Sequence, residues 1–174
     1  MVVLDALGAA PDDSLDAGLG PARARRLRAA VLERTLRWGA ALASAGVHHV
    51  ADVPAATEAL AGHTGPVVLV APDVPGLDTT LAEAILGDLG DGCTAIVGAA
   101  HDARPYVVAL PRATPEGLAL AGGALEGGVV AAERLPEGLL LGLLRSERRC
   151  ATAADARALA CDPLLPPDLA ALLA

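Results

Sequence analysis

The sequence predicts an α/β fold: a single three-layer α/β/α domain over residues 1–174, with a mostly parallel sheet covered by helices. Three observations carry this. Short apolar runs of strand length alternate with longer segments of helical period, the pattern of βαβ units. The run Val67-Val68-Leu69-Val70 has no polar interruption, as a strand buried on both faces requires. A chain of 174 residues with 53% hydrophobic content can bury a continuous core without disulfides or metal.

In chain order, Val2 to Leu7 reads as a buried first strand, closed by Gly8 and Pro11 and followed by a loop carrying Asp12, Asp13 and Asp16. From Pro21 to about Ser44 the period is helical, with Leu27, Val31, Trp38 and Leu42 on one face and Gly46 beyond the end. Val47 to Val53 reads as a strand and Ala55 to Ala61 as a short helix. Pro66 to Ala71 is the third strand, expected to be interior and parallel. A turn-forming loop, Pro72 to Asp78, leads into a helix from Thr79 to Leu89.

Thr94 to Gly98 and Tyr106 to Leu110 are two further strands joined by the loop Ala99 to Pro105. Thr114 to Leu125 has helical character, whereas Gly127 to Leu144 is open between hairpin and helix, because glycine and proline interrupt it repeatedly. Thr152 to Asp155 has the form of a capping box, so a helix to about Ala160 follows, ended by Asp162-Pro163.

Composition excludes several functions. A formal charge of -8 disfavours duplex nucleic acid and anionic membrane, both of which need a positive surface. One Trp and one Tyr cannot build the stacking platforms of single-strand binders. Cys93, Cys150 and Cys161 form no C-x-x-C pair, which points to a reducing cytoplasm rather than a disulfide framework. No basic leader precedes the first strand, and no apolar stretch reaches the ~18 residues of a spanning helix. A mean hydropathy of +0.48 without such a segment suggests apolar surface covered by a second copy, and Leu32 and Leu36 lie away from the main helix face. A homodimer is the expectation.

Strands followed by loops direct attention to their carboxyl ends, where open α/β sheets bind ligands. There, the segment Val67 to Leu77, with Asp73-Val74-Pro75-Gly76-Leu77 at its end, resembles the strand and G-x-D-x-P-G-L motif of a small family of glycosyltransferase-A-like proteins. That family is related to the molybdenum cofactor and phospholactate guanylyltransferases and has the Rossmann-like nucleotide-diphospho-sugar transferase topology. Ala100 to Leu110 is similar, without a gap, to the family's A-E-D-G-G-Y-Y-L-L-G-L segment. The loop Gly8 to Gly20 falls where the family places its nucleotide loop, so the likeness covers most of the chain.

The resemblance implies a metal-dependent nucleotidyl- or glycosyltransferase acting on a nucleotide or nucleotide sugar. Asp73 would hold Mg or Mn, Asp102 would assist, and His101 or Arg104 would lie near the substrate; no organic cofactor is implied. Each residue also has a plain structural reading. Asp73 and the Pro-flanked turn explain each other, and Arg104 suits a solvent-facing loop.

The departures from the pattern are substantial. The family's Gly-rich loop has a Lys-Thr-Arg run that neutralises phosphate, whereas no basic residue precedes Arg23 here. His101 replaces an acid, Ala103-Arg104-Pro105 replaces Gly-Gly-Tyr, and Arg149-Cys150-Ala151-Thr152 stands where the family has Asp-Val-Asp-Thr. The alternative is therefore a non-catalytic binding or partner protein that keeps the fold.

His48 and His49, adjacent on a strand, point to opposite faces and read as one surface and one core residue. Arg23, Arg26, Arg34 and Arg37 form a stripe along the first helix, open between an anion-holding strip and a solvated face.

Overall fold

The computed structural model describes residues 1–9, 14–43, 46–114, 117–118 and 140–174. The first strand, β1 (Val2–Leu4), is wholly buried. A turn leads to α1 (Leu15–Leu19) and the long α2 (Pro21–Leu42), whose first turn is set by Pro21. Then come β2 (His48–Val50), α3 (Val53–Ala59), β3 (Val67–Val70) and α4 (Thr79–Gly90). The chain continues through β4 (Ala95–Ala99), β5 (Pro105–Leu110) and β6 (Leu141–Leu143) to α5 (Ala153–Ala160) and α6 (Pro167–Leu173).

The described strands form one sheet of six, in the order β2-β1-β3-β5-β4-β6. β1 pairs in parallel with β2 and β3, and β4 with β6, while β5 runs antiparallel to both β3 and β4. β3 is thus interior, parallel to β1 on one side and antiparallel to β5 on the other. The reversal of β5 has a local cause. Only residues 100–104 separate it from β4, too few for the crossover that a parallel neighbour needs.

The main core lies along the sheet, where β3 and β5 are buried throughout and Leu81 and Ile85 of α4 are fully enclosed. α2 serves two clusters. Trp38 joins the sheet core, whereas Leu27 and Val31 join Leu15, Ala156, Leu159 and Leu169 in a second cluster among α1, α5 and α6. Leu32 and Leu36 are partly buried against the sheet core, so the α2 residues that suggested an interface are used inside the chain.

Side-chain caps fix the starts of α3, α4 and α5. Asp52, Asp78 and Thr152 accept from the backbone N–H of Ala55, Leu81 and Asp155, and Asp155 returns its carboxylate to the Thr152 N–H to complete the capping box.

Some expectations need correction. α1 lies within the segment expected to be loop, and α6 follows Asp162-Pro163 where no element was expected. His48 and His49 are both exposed, because β2 is an edge strand of three residues. Of the helix expected over Thr114 to Leu125 only residues 114, 117 and 118 are described, and most of the open stretch Gly127 to Leu144 lies outside the described residues; of the latter, Leu141–Leu143 is strand. Among the described residues, no helix is long and apolar enough to cross a membrane.

Candidate functional site

Because β5 is reversed, its first residue lies at the same end of the sheet as the last residues of β1, β3 and β4. Gly8, Asp73, Asp102, Arg104 and Pro105 are therefore gathered beyond the carboxyl ends of the parallel strands, and Arg149, six residues past β6, enters among them.

Arg149 is 3% exposed. Its Nε donates to both oxygens of Asp73, at 3.0 and 3.1 Å, and its second terminal nitrogen lies 2.7 Å from Oδ1. The first terminal nitrogen donates to three backbone carbonyls, those of Leu7 at 3.2 Å, Pro105 at 3.1 Å and Gly8. One planar cation thus meets five oxygens from three parts of the chain, using the fixed fork that distinguishes arginine from lysine. The backbone is tied as well, since the Cys150 N–H donates to the Asp73 carbonyl at 2.8 Å.

Arg104 repeats the arrangement. Its Nε donates to Asp102 Oδ2 at 2.7 Å, its second terminal nitrogen also contacts that oxygen, and its first reaches the Gly8 carbonyl at 3.0 Å. The residue is 8% exposed, so the solvent-facing reading of Arg104 is overturned: it is drawn inward by Asp102 and Gly8. Partial burial pushes the Asp102 carboxyl up, but hydrogen bonds from the Arg104 side chain and backbone outweigh it and leave it below the usual carboxylate range.

Gly8 receives both guanidiniums on one carbonyl at φ +56°, and a Cβ there would run into the Pro105 carbonyl and Arg149. Only glycine fits. Ala103, by contrast, is a non-glycine residue at φ 65° in the turn that aims Arg104 inward.

His101 is exposed, and its backbone N–H donates to the Glu147 carbonyl at 3.1 Å. Asp16 pairs with Arg28 at 2.7 Å, while Asp12 and Asp13 lie outside the described residues. The structure thus brings Asp73, Asp102 and Arg104 together and sets His101 at their edge. Among the described residues, no group of three His, Cys, Asp or Glu is placed to hold a metal ion.

Three cavities border this region, the smallest, of about 180 Å³, being lined by His101, Asp102, Arg148 and Arg149. Another, of about 370 Å³, is lined by Asp5, Arg28, Pro72, Asp73, Arg149 and Cys150. Burial, with Asp73 and Asp155 nearby, pushes the Cys150 thiol up to about 12. A larger cavity, of about 560 Å³, lies against the loop after β3 and the segment after β6. On its wall Arg145 is held by Glu147 at 2.6 Å and Asp78 at 2.8 Å, and its carbonyl accepts from the buried Tyr106 hydroxyl at 2.8 Å.

Sequence reasoning missed Arg149. The available signal was its position: an arginine stands where the resembled family carries a carboxylate, while Asp73 is retained.

No family model matches the chain, and no curated protein matches it either. Solved structures do. A protein from Desulfovibrio desulfuricans provisionally named a nucleotide-diphospho-sugar transferase aligns over 99% of this chain and 92% of its own, with 17% identity and a TM-score of 0.72. A Mycobacterium sp. strain JC1 homologue of a Mycobacterium tuberculosis protein aligns over 99% and 95% at 19% identity, with a TM-score of 0.43. The first of these likenesses, together with the strand order, shows that the chain has the fold of the nucleotide-diphospho-sugar transferases.

Proposed function

We propose that this chain is a binding protein that keeps the transferase fold and uses the Arg149 guanidinium as a resident cation, in place of the Mg or Mn of a metal-dependent transferase. The supporting observation is the fork between Arg149 and both oxygens of Asp73. A hard divalent cation binds through oxygen lone pairs, and those of Asp73 already face a guanidinium. Admitting the metal would expel a cation that also ties down three carbonyls, leaving a buried charge without its partner.

The other residues of the transferase reading fit this proposal. Asp102 and Arg104 are committed to each other, and Asp16 of α1 to Arg28. A relation to the guanylyltransferases belongs to the same proposal, as one of fold. Three free thiols accord with a reducing cytoplasm, and a homodimer belongs to the same proposal; sedimentation giving only monomer at micromolar concentration would remove the dimer.

Calorimetry with GTP, CTP and UDP-sugars, with and without manganese, tests the function. No low-micromolar binding is expected. Manganese-dependent binding that disappears in Asp73→Ala would restore the transferase.

A further inference from the structure

The cavity of about 560 Å³ contains neither Asp73 nor Arg149, and its size falls within the range of small-molecule sites. Leu77, Leu159 and Leu165 supply apolar wall, and Leu164 beside them is 88% exposed. Three arginines line it, Arg34, Arg145 and Arg148.

The charges on this wall are unequally committed. Arg145 is consumed by Glu147, Asp78 and the Gly76 carbonyl. Asp78 also caps α4 through the Leu81 N–H at 2.9 Å, and Asp162 accepts from the Leu164 N–H at 2.9 Å. Among the described residues Arg34 has one ion pair, at 3.5 Å to an Asp168 that is itself 58% exposed and not on the wall. Arg148 has one at 3.9 Å to Asp162. Surface pairs this long and wet contribute almost nothing, so two guanidiniums with five donors each remain able to take a better acceptor. Arg34, Arg145 and Arg148 balance Asp78, Glu147 and Asp162 on this wall, so what it offers an anion is two loosely held guanidiniums beside apolar surface.

We propose that this cavity binds a small organic oxyanion, a carboxylate or phosphate on an apolar body, with Arg34 and Arg148 holding the oxyanion and the leucines the body. The inference rests on the reading of the chain as a binding protein and supplies its ligand class. Planar guanidiniums match both oxyanions by paired hydrogen bonds, and the leucine wall selects against a bare ion.

A built-in reporter is available. Trp38, the single tryptophan, donates through Nε1 to the carbonyl of Asp78 on the cavity wall, at 2.7 Å. Trp38 emission and melting temperature are followed against phenyl phosphate, phenylacetate and inorganic phosphate at constant ionic strength. Saturable binding of one aryl anion is expected, with inorganic phosphate at least about tenfold weaker, and the preferred aryl anion identifies the head group. Arg34→Ala/Arg148→Ala should weaken it about a hundredfold or more, while the exposed Arg25→Ala leaves it unchanged. Circular dichroism confirms that the double variant folds, and should it not, Leu165→Asp replaces it, with the same loss expected.

Saturation by neither aryl anion, or equal binding by the folded double variant, overturns the proposal; inorganic phosphate binding as tightly as the aryl anions overturns the apolar part. Manganese and GTP separate this proposal from the function proposed above: aryl-anion binding should need neither and be displaced by neither, whereas a metal-dependent nucleotide site would take both.

Discussion

Arg149 and Asp73, 76 residues apart, meet through both carboxylate oxygens, with the guanidinium buried and the carboxylate nearly so. Removing one partner of such a pair leaves the other charged in a poorly solvated place. Arg149→Ala should therefore destabilise the protein by about 3–5 kcal/mol, measured by urea unfolding. Arg149→Lys should recover only a minor part, because an ammonium cannot span Asp73 and three carbonyls at once. An Arg149→Ala/Asp73→Ala double variant should be more stable than the sum of the single losses predicts.

Ala103 and Gly8 make an opposed pair of backbone tests. The left-handed conformation costs a residue with a Cβ about 1–2 kcal/mol, against about 0.5–1 kcal/mol for the extra chain entropy of glycine. Ala103→Gly should thus be neutral or stabilise by up to about 1.5 kcal/mol by the same unfolding assay. Gly8→Ala should be strongly destabilising, since the new Cβ meets the Pro105 carbonyl and Arg149.

Acid should unfold the protein through Asp102 and Asp78. At both, partial burial raises the carboxyl, but hydrogen bonds from Arg104 and Arg145 respectively outweigh it and hold it below its ordinary value. A folded pKa below the unfolded one gives stability that is present above about pH 4 and lost as pH falls through the folded value. Denaturation between pH 6 and 3 should show that loss, with a shallower slope in Asp102→Asn and Asp78→Asn.

The cysteines should differ in reactivity. Cys150 is buried with its thiol pushed up to about 12, and Cys161 is exposed. Alkylation at pH 8 followed by peptide mapping should label Cys161 rapidly and Cys150 only after unfolding, because the thiolate is the reacting form.

Much of the fold was legible because its determinants are local. The unbroken Val67 to Val70 run, the Thr152 to Asp155 cap and the period of α2 each carry their signal within a few residues. The reversal of β5 was also legible in the short link after β4, although alternating elements suggested a parallel neighbour. The five-residue α1 was hidden, since a single turn has too little period to register. The site was legible only in its positions. Asp73, Asp102 and Arg104 are brought together, but what each side chain grips depends on segments far away in the chain, and no local pattern carries that.

The carbonyl of Gly8 accepts from Arg104 and from Arg149, contacts that span 96 and 141 residues. During synthesis from the amino terminus, β1, β3 and their loops emerge long before Arg149 does. Until then Asp73 has no buried cation to face, and the turn after β1 has only one of its two anchors. The closing of this end of the sheet is therefore among the last events available to the growing chain, and a ribosome stalled before residue 149 would hold a domain with its sheet begun and its centre still open to water.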